Sequence, residues 1–369
     1  MAIEESLDNF ELVPATTIEQ IHETWLRTHA EWGVGVMDVK TYHDREHVLA
    51  NQDFTGKNIT IWLYGEKKER LSETGSLNFK SSLETFKRKA LIKRKGKSEV
   101  EEILCHSIAT VFVPICNRGH GYANGMIGEL YKALSKLGEA STLYSDIGRK
   151  FYSKFGWDVH PFVITDIEIS AINQSDKQAT DTEQFVVELI DEELAKEVAE
   201  EDCKRLAVQL EEMDSSQSTK FLILPEVSAY QWRWAREKFE AEKCFGIDHS
   251  NGNGLKIFGA RIKNSTSFII WAHKFRENKM YILRENWSNE KHIKPLMDAC
   301  IAECKKHSLS KITSWNLNPA SIAVLEREYG PVAVTSNTMP ELSLPSLAIF
   351  NKEKDEKVDW VLNSDYAWV

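Results

Sequence analysis

The sequence predicts an α+β fold carried by two units in tandem. Three observations point there. An apolar run, Ile108-Ala109-Thr110-Val111-Phe112-Val113, feeds a glycine-rich turn at Asn117-Arg118-Gly119-His120-Gly121-Tyr122-Ala123. A helical pattern then leaves it through Met126, Ile127, Leu130, Leu134 and Leu137. Strands that read as antiparallel come first and are then interrupted by two helices, which is the order of an α+β sandwich and not of an open doubly wound sheet. From about Phe221 a second domain of strands and helices begins.

Taken in order, Phe10-Glu11-Leu12-Val13 is a short strand, and Thr17-Ile18-Glu19-Gln20 is a capping-box pattern opening a helix through Ala30. Asn58 to Tyr64 alternates and is β-rich, a strand. Ser76 to Lys80 and Ala90 to Lys93 read as parts of a further strand around an irregular Ser/Lys-rich piece. After the strand at 103–113 and the helix come a strand at Thr142 to Ser145 and a short helix from Arg149 to Phe155 with Gly156 as its C-cap. Strands near Trp157 to Val159 and Val163 to Ile169 close a first unit, residues 1–172. Residues 173–220 read as a polar linker (Asn173 to Thr182) and an acidic helix, Phe185 to Met213, with one apolar stripe.

The second unit spans 221–369. Tyr230 to Phe239 is helical and carries Trp232 and Trp234. Leu255 to Ile262 follows the Asn251-Gly252 turn as a strand, and Ser267 to Phe275 pairs with Lys279 to Asn286 as a hairpin around Glu277-Asn278. A helix at 291–307, a strand at 311–315, a helix at 319–328 and a strand at 345–350 complete it.

Strand, glycine turn and helix together let backbone N–H groups and a helix N-terminus converge on an anion. Two familiar phosphate loops are excluded. A Walker loop ends in Gly-Lys-Ser/Thr, which Ala123-Asn124-Gly125 does not supply. A dinucleotide fingerprint needs a third glycine where Asn124 stands. Arg118-x-x-Gly121-x-Ala123 instead resembles the Arg/Gln-x-x-Gly-x-Gly/Ala loop of GNAT-family N-acetyltransferases, and Phe151-Tyr152-Ser153-Lys154-Phe155-Gly156-Trp157 resembles that family's Phe-Tyr-x-x-x-Gly-Phe/Trp segment.

The resemblance implies a GNAT fold followed by a second, degenerate GNAT-like domain, with acetyl-CoA as co-substrate and no metal. It implies pyrophosphate binding by Arg118, Gly119, His120, Gly121, Tyr122 and Ala123, with the backbone of Val111, Phe112 and Val113 beside the pantetheine. Tyr152 is implied as the acid that returns a proton to the departing thiolate. In the second unit Asn286-Trp287-Ser288-Asn289-Glu290 holds no glycine, so one coenzyme site is expected.

Thr142 to Gly148, Lys150 to Trp157 and the tryptophan-bearing second half are similar to the fungal lysine N6-acetyltransferases of lysine catabolism. That likeness implies acetyl transfer to free L-lysine, a small-molecule partner. Alternatives are a peptide, protein or polyamine acceptor, or a non-catalytic acyl-CoA-binding regulator. An acceptor ε-amine with pKa near 10.4 costs about 4–5 kcal/mol to neutralise at pH 7, so a base is expected. His106 suits by pKa, with Ser107, Glu101 and Glu102 nearby, but strand neighbours face opposite ways and the cleft side is open. Arg27, Arg45 and Arg233 are offered for a substrate carboxylate.

Composition agrees with an enzyme of this kind. Hydrophobic residues make up 42% and charged residues 28%, ordinary for a globular chain. A net charge of −10 argues against nucleic acid as partner, which needs a basic face. The one basic run, Lys87 to Lys97, reads as a strand end and turn. No apolar run approaches the roughly 18–20 residues of a membrane span. The acidic start, Met1 to Asp8, resembles neither a signal nor a transit peptide. Six scattered cysteines are expected to be reduced. The expected location is the cytoplasm, with the nucleus open.

Overall fold

The computed structural model describes residues 7–172, 185–247, 254–338, 342–353 and 355–369. The linker reading at Asn173 to Thr182, the Asn251-Gly252 turn and most of the acidic start lie outside them.

The first run begins with β1 (Phe10–Pro14) and α1 (Ile18–Trp32). The helix starts through the full capping box, with Thr17 Oγ1 accepting from the Gln20 N–H and the Gln20 side chain accepting from the Thr17 N–H. The next helix, α2 (Val39–Ala50), was not expected. Its buried positions are Tyr42, Arg45 and Leu49, so an arginine interrupts the apolar stripe by which a helix is read from sequence. Asp38 caps it, accepting from the Thr41 N–H at 2.7 Å.

β2 (Ile59–Glu66), the short α3 (Leu71–Thr74) and β3 (Ser81–Lys93) follow. β3 is one continuous strand of 13 residues that takes in the piece read as irregular, while Ser76 to Lys80, expected to be strand, precedes it: exposed Lys87 and Lys89 alternate with buried Phe86, Arg88 and Ala90. Then come β4 (Glu101–Phe112), α4 (Tyr122–Leu134), β5 (Ala140–Ser145), α5 (Lys150–Ser153), β6 (Asp158–Val159) and β7 (Val163–Glu168).

The second run holds β8 (Val187–Ile190), α6 (Glu192–Glu212), β9 (Thr219–Ile223), α7 (Val227–Phe245), β10 (Gly259–Ile262), β11 (Phe268–Lys274) and β12 (Lys279–Asn286). It ends with α8 (Ile293–Lys306), β13 (Lys311–Trp315), α9 (Pro319–Tyr329), β14 (Val334–Thr338), β15 (Leu344–Ile349) and β16 (Val358–Leu362). The acidic helix is therefore shorter than expected. Residues 187–190 are a strand, and Asp191 caps α6 by accepting from the Glu193 and Leu194 N–H groups.

Two sheets result, ordered β1-β2-β3-β4-β5-β15-β6 and β8-β10-β11-β12-β13-β7-β14. Along these seven places they are the same design, with a parallel pair at the same place in each, β4 with β5 and β12 with β13. The sixth place in each sheet is filled by a strand of the other run. β7 pairs with β13 and β14, whereas β15 pairs with β5 and β6. The strand at 163–168, expected to close the first unit, thus belongs to the second sheet, and the strand at 344–349 belongs to the first. Alternation in a sequence identifies a strand and its faces but not its partner.

β9 further extends the first sheet, antiparallel to β3 and parallel to β16. One core runs through both sheets: Ala90, Ile103 and Cys105 cluster with Ile270, Ala272 and Leu283 and with Tyr230 and Trp234 of α7. A separate core packs α4 on the opposite face of the first sheet, through Met126, Ile127, Leu130 and Leu134 against Leu83, Ile108 and Leu143.

Candidate active site

β4 and β5 run parallel through only three register pairs, ending at Ser107 opposite Thr142. Beyond that point β5 follows β15 while β4 follows β3, and the two strands part. The gap opens beside Ile108 to Phe112 on one side and Leu143 to Ser145 on the other. A bulge accentuates it: Ser82 opposes Phe112 but Glu84 opposes Ala109, so Thr110 and Val111 share one place on β3. Thr110 takes a left-handed backbone, φ 53°, which a β-branched residue rarely adopts. Bulges of this kind re-aim side chains and end pairing.

The glycine turn lies past the end of β4. Gly119 and Gly121 have φ of 85° and 81°, a region glycine enters without steric cost. A Cβ at Gly119 would meet nothing within 4 Å, and one at Gly121 would meet only Leu7 at 3.6 Å. The turn is therefore open on its outer side. Gly121 is the N-cap of α4, with no side-chain cap and no acid in the first turn among the described residues. Thr17, Asp38, Asp191 and Asn318, by contrast, cap α1, α2, α6 and α9. The first-turn N–H groups of a helix have no intrahelical acceptor, so this end favours an anion. Arg118 sits beside it with its Nε donating to the Val113 carbonyl at 3.0 Å. Open glycines, an uncapped helix and a parted strand pair fit a pyrophosphate and its extended arm.

At the matching place in the second run the cradle is closed. Asn289 accepts from the Lys291 N–H, Ser267 Oγ accepts from the Ser288 N–H, and His292 Nδ1 lies 2.8 Å from Ser267 Oγ. Side-chain acceptors already engage the Ser288 and Lys291 N–H groups there.

Not every residue of the turn offers its side chain. Tyr122 and Phe112 are buried, Tyr122 against Phe10 and Phe112 near Trp32, while Val111 packs on the α4 core. His120 stacks on Tyr122 at 5.5 Å. Tyr152 is buried in the α4 core with Ile108 and Leu143. Burial, with Asp146 adding to it, holds its phenol protonated well above the usual tyrosine range.

On the other face of the splay lies a cavity of about 300 Å³. α1 and α2 form one wall with Trp25, Thr28, Trp32, Tyr42, Arg45, Glu46 and Leu49. The floor is Glu84, Phe86, Ala109, Thr110 and Tyr144. The second run supplies the remaining wall through Trp232, Arg236, Glu240, Lys274, Arg276, Glu277 and Trp368. A larger cavity, about 530 Å³, borders β6 and β16 and shares no residue with the turn or the bulge.

Most charges around the 300 Å³ cavity are paired. Arg45 bridges Glu46 and Glu240 at 2.5 and 2.9 Å, Arg236 reaches Glu240 at 3.4 Å, and Lys274 reaches Glu277 at 2.8 Å. Glu84 is different. Among the described residues it has no ion pair, and Thr110 Oγ1 donates to its Oε2 at 2.8 Å. Burial, with Glu46 adding repulsion, pushes its carboxyl up to about 7. A carboxyl with that value is poised to take a proton near neutral pH.

Cross-strand register explains why Glu84 and not His106 faces the cavity. Residues directly opposite share a face: Glu84 with Ala109, Phe86 with Ser107 and Arg88 with Cys105. His106 opposes Lys87 and Ser141 and so points to the α4 side. There it is buried near the Leu137 carbonyl at 3.5 Å, and burial lowers its pKa. The expectation of His106 as base is corrected by this register. Glu101 and Glu102 are exposed at the far end of β4. Arg27 is spent on the Phe79 and Leu77 carbonyls and Glu23, and Arg233 on Asp365. Of the three arginines offered only Arg45 lines the cavity. Glu84 carried no motif; its only sequence signal was its parity with Phe86 on a strand that was itself misread in the middle.

A splayed parallel pair, a bulge on the fourth strand and an uncapped helix behind a glycine turn define the GNAT-type fold in the first sheet, and the second sheet repeats its strand order without the glycine turn. Comparison with known proteins agrees. Residues 171–369 match the family of the LYC1 GNAT-like C-terminal domain. The chain belongs to this LYC1-like GNAT family, which places it among the GNAT-type acetyltransferases. It is 24% identical to a lysine acetyltransferase of Yarrowia lipolytica over 363 residues, covering 86% of this chain and 85% of the relative. An uncharacterised protein of Saccharomyces cerevisiae is 25% identical over 328 residues, 76% of this chain and 78% of that one. In fold it is similar to GCN5-related N-acetyltransferases from Anabaena variabilis and Kribbella flavida. Their TM-scores are 0.55 and 0.54 at 12% and 11% identity, with 93% of this chain covered in both and 73% and 72% of theirs.

Proposed function

We propose that the chain transfers acetyl from acetyl-CoA to the N6-amine of free L-lysine, with one active site, in the first half. The observation that carries this reading is the walled cavity at the splay, which holds a poised carboxylate on its floor and both signs of charge on its far wall. A free amino acid carries a carboxylate and an ammonium at one end and the acceptor amine at the other. Arg236, Lys274 and Arg276 with Glu240 and Glu277 suit the first end, and Glu84 suits the second. Walls drawn from both halves of the chain bound the cavity, which suits a small acceptor.

In this reading Gly119, Gly121, Ala123 and the α4 N-terminus, with Arg118 and His120 beside them, hold the pyrophosphate through backbone N–H groups, and the free edge of Val111 to Val113 holds the arm. Acetyl-CoA, when bound, supplies the acyl group. Glu84 accepts the ammonium proton, offsetting part of the about 4–5 kcal/mol that a neutral amine costs at pH 7. Thr110 keeps one carboxylate oxygen engaged, so the other is left for the amine. Tyr152 stays protonated and serves as the proton source on the α4 side of the gap. Acid and base thus sit on opposite faces of one sheet, joined by the gap.

The test is turnover of acetyl-CoA with free amino acids, polyamines and a lysine-containing peptide. Preference for free lysine, with N6-acetyl-lysine as product, supports the proposal. Preference for the peptide or a polyamine replaces the acceptor, and no turnover with any amine favours a non-catalytic acyl-CoA binder.

A further inference from the structure

Three histidines meet where α1 packs against α2, beside Trp25 of the cavity wall. His43 and His47 are four residues apart on α2 and so share one face, and His22 comes from α1. Their ring centroids are 4.5 Å (His22 to His43), 5.0 Å (His22 to His47) and 4.6 Å (His43 to His47) apart. One ring nitrogen of each lies within 4.8 Å of the other two. His22 Nε2 is buried without a hydrogen-bond partner. Trp25 covers the group, about as close to His43 and His47 as they are to each other.

We propose that His22, His43 and His47 bind one transition-metal ion, Zn²⁺ in the first instance, which braces α1 against α2. Three neutral imidazoles offer three lone pairs and no counter-charge, and an i, i+4 pair with a third histidine from a neighbouring helix is a donor set that suits Zn²⁺. Tetrahedral Zn²⁺ with bonds of about 2.0–2.1 Å needs ligand nitrogens about 3.3 Å apart, closer than the 4.8 Å within which they lie here, so the rings draw together on binding.

A second group of similar residue type is accounted for without an ion. His273 Nε2 and His307 Nε2 both reach Glu303 Oε1, at 3.3 and 3.0 Å, so a carboxylate already satisfies them. No acid does this for His22, His43 and His47 among the described hydrogen bonds. The proposed ion has a consequence for the cavity, because Trp25 touches the histidines and lines the cavity, and Thr28, Tyr42 and Glu46 of the same two helices line it too.

The experiment is calorimetric titration of the chelator-treated full chain with Zn²⁺, with Mg²⁺ as control and Co²⁺ as an optical probe of nitrogen ligation. One equivalent of Zn²⁺ per chain is expected, with a rise in Tm and no response to Mg²⁺. His47→Ala, on the last turn of α2, should weaken Zn²⁺ binding by about 100-fold or more, beyond the 10–100-fold typical of losing an outer partner. His307→Gln should leave it unchanged. Circular dichroism confirms that each variant folds, and a His43→Gln variant serves if His47→Ala does not. Absence of stoichiometric Zn²⁺ binding, or binding indifferent to His47→Ala and His43→Gln, overturns the proposal; so does loss of the site in His307→Gln alone.

Discussion

Thr110 Oγ1 donates a hydrogen bond to Glu84 Oε2 at 2.8 Å, and it does so from a left-handed backbone that only the β4 bulge supplies. The bulge thereby has two effects. It parts β4 from β5, and it holds a cavity carboxylate that has no ion pair among the described residues.

Glu84→Gln should lower turnover by about 10²–10⁴-fold, the usual worth of a positioned base, with acetyl-CoA affinity retained. In the wild type kcat/KM should rise with pH through about 7, where the Glu84 carboxyl ionises. Steady-state kinetics from pH 5 to 9 checks both; an unchanged variant profile removes Glu84 as the base.

The same carboxyl affects stability with a definite sign. Its pKa is raised from 4.5 to about 7, so between those values the native state keeps a proton that the unfolded chain releases. Stability then falls as pH rises across that window. Glu84→Gln should flatten this slope in denaturant titrations; Glu237 and Glu285, shifted the same way, should preserve part of it.

Gly121→Val places a β-branched residue at φ 81°, at a cost of roughly 1–2 kcal/mol, while leaving the core untouched. The fold should persist and acetyl-CoA binding should be lost. Calorimetry with acetyl-CoA, beside a thermal melt, tests it; micromolar affinity in the variant would remove the turn as the coenzyme site.

Tyr152→Phe keeps the ring that packs with Ile108 and Leu143 and removes only the hydroxyl. Turnover should fall by about 100-fold or more, with little change in acetyl-CoA affinity. Normal turnover would leave Tyr152 as a core aromatic alone.

Arg45→Met breaks a pair whose side chains are 4% and 3% exposed. Stranding Glu240 in this way should cost about 3 kcal/mol, the low end for a broken buried pair, since Arg236 remains within 3.4 Å. Chemical denaturation measures the loss, and a rise in acceptor KM should accompany it because α2 and α7 meet at this contact.

The exchange of β7 and β15 makes a prediction about dissection. A fragment of residues 1–172 lacks the strand that fills the place between β5 and β6, and β7 would have no β13 to pair with. It should be expanded or aggregated by scattering and amide exchange. A monomeric fragment with native-like dispersion would show that the exchange is dispensable.

Much of the fold was legible because it is local. The capping box at Thr17, the hairpin turning at Asn278 with φ 53° and the helix behind Gly121 each depend on residues within a few positions. What failed was local signal contradicted by long-range contact. Arg45 hid α2 because its charge is neutralised 195 positions away by Glu240, and residues 187–190 joined a sheet instead of extending a helix.

From the sequence alone came the glycine turn, the order of its flanking elements, the Phe-Tyr segment and the absence of a glycine at the second turn. These rest on backbone freedom and short periodicities, which a chain carries wherever it is placed. Only the tertiary structure decided that His106 faces α4, that Glu84 faces the cavity, and that each sheet borrows a strand from the other run. Those outcomes depend on register and on partners distant in sequence, and a one-residue change of register turns every side chain to the opposite face.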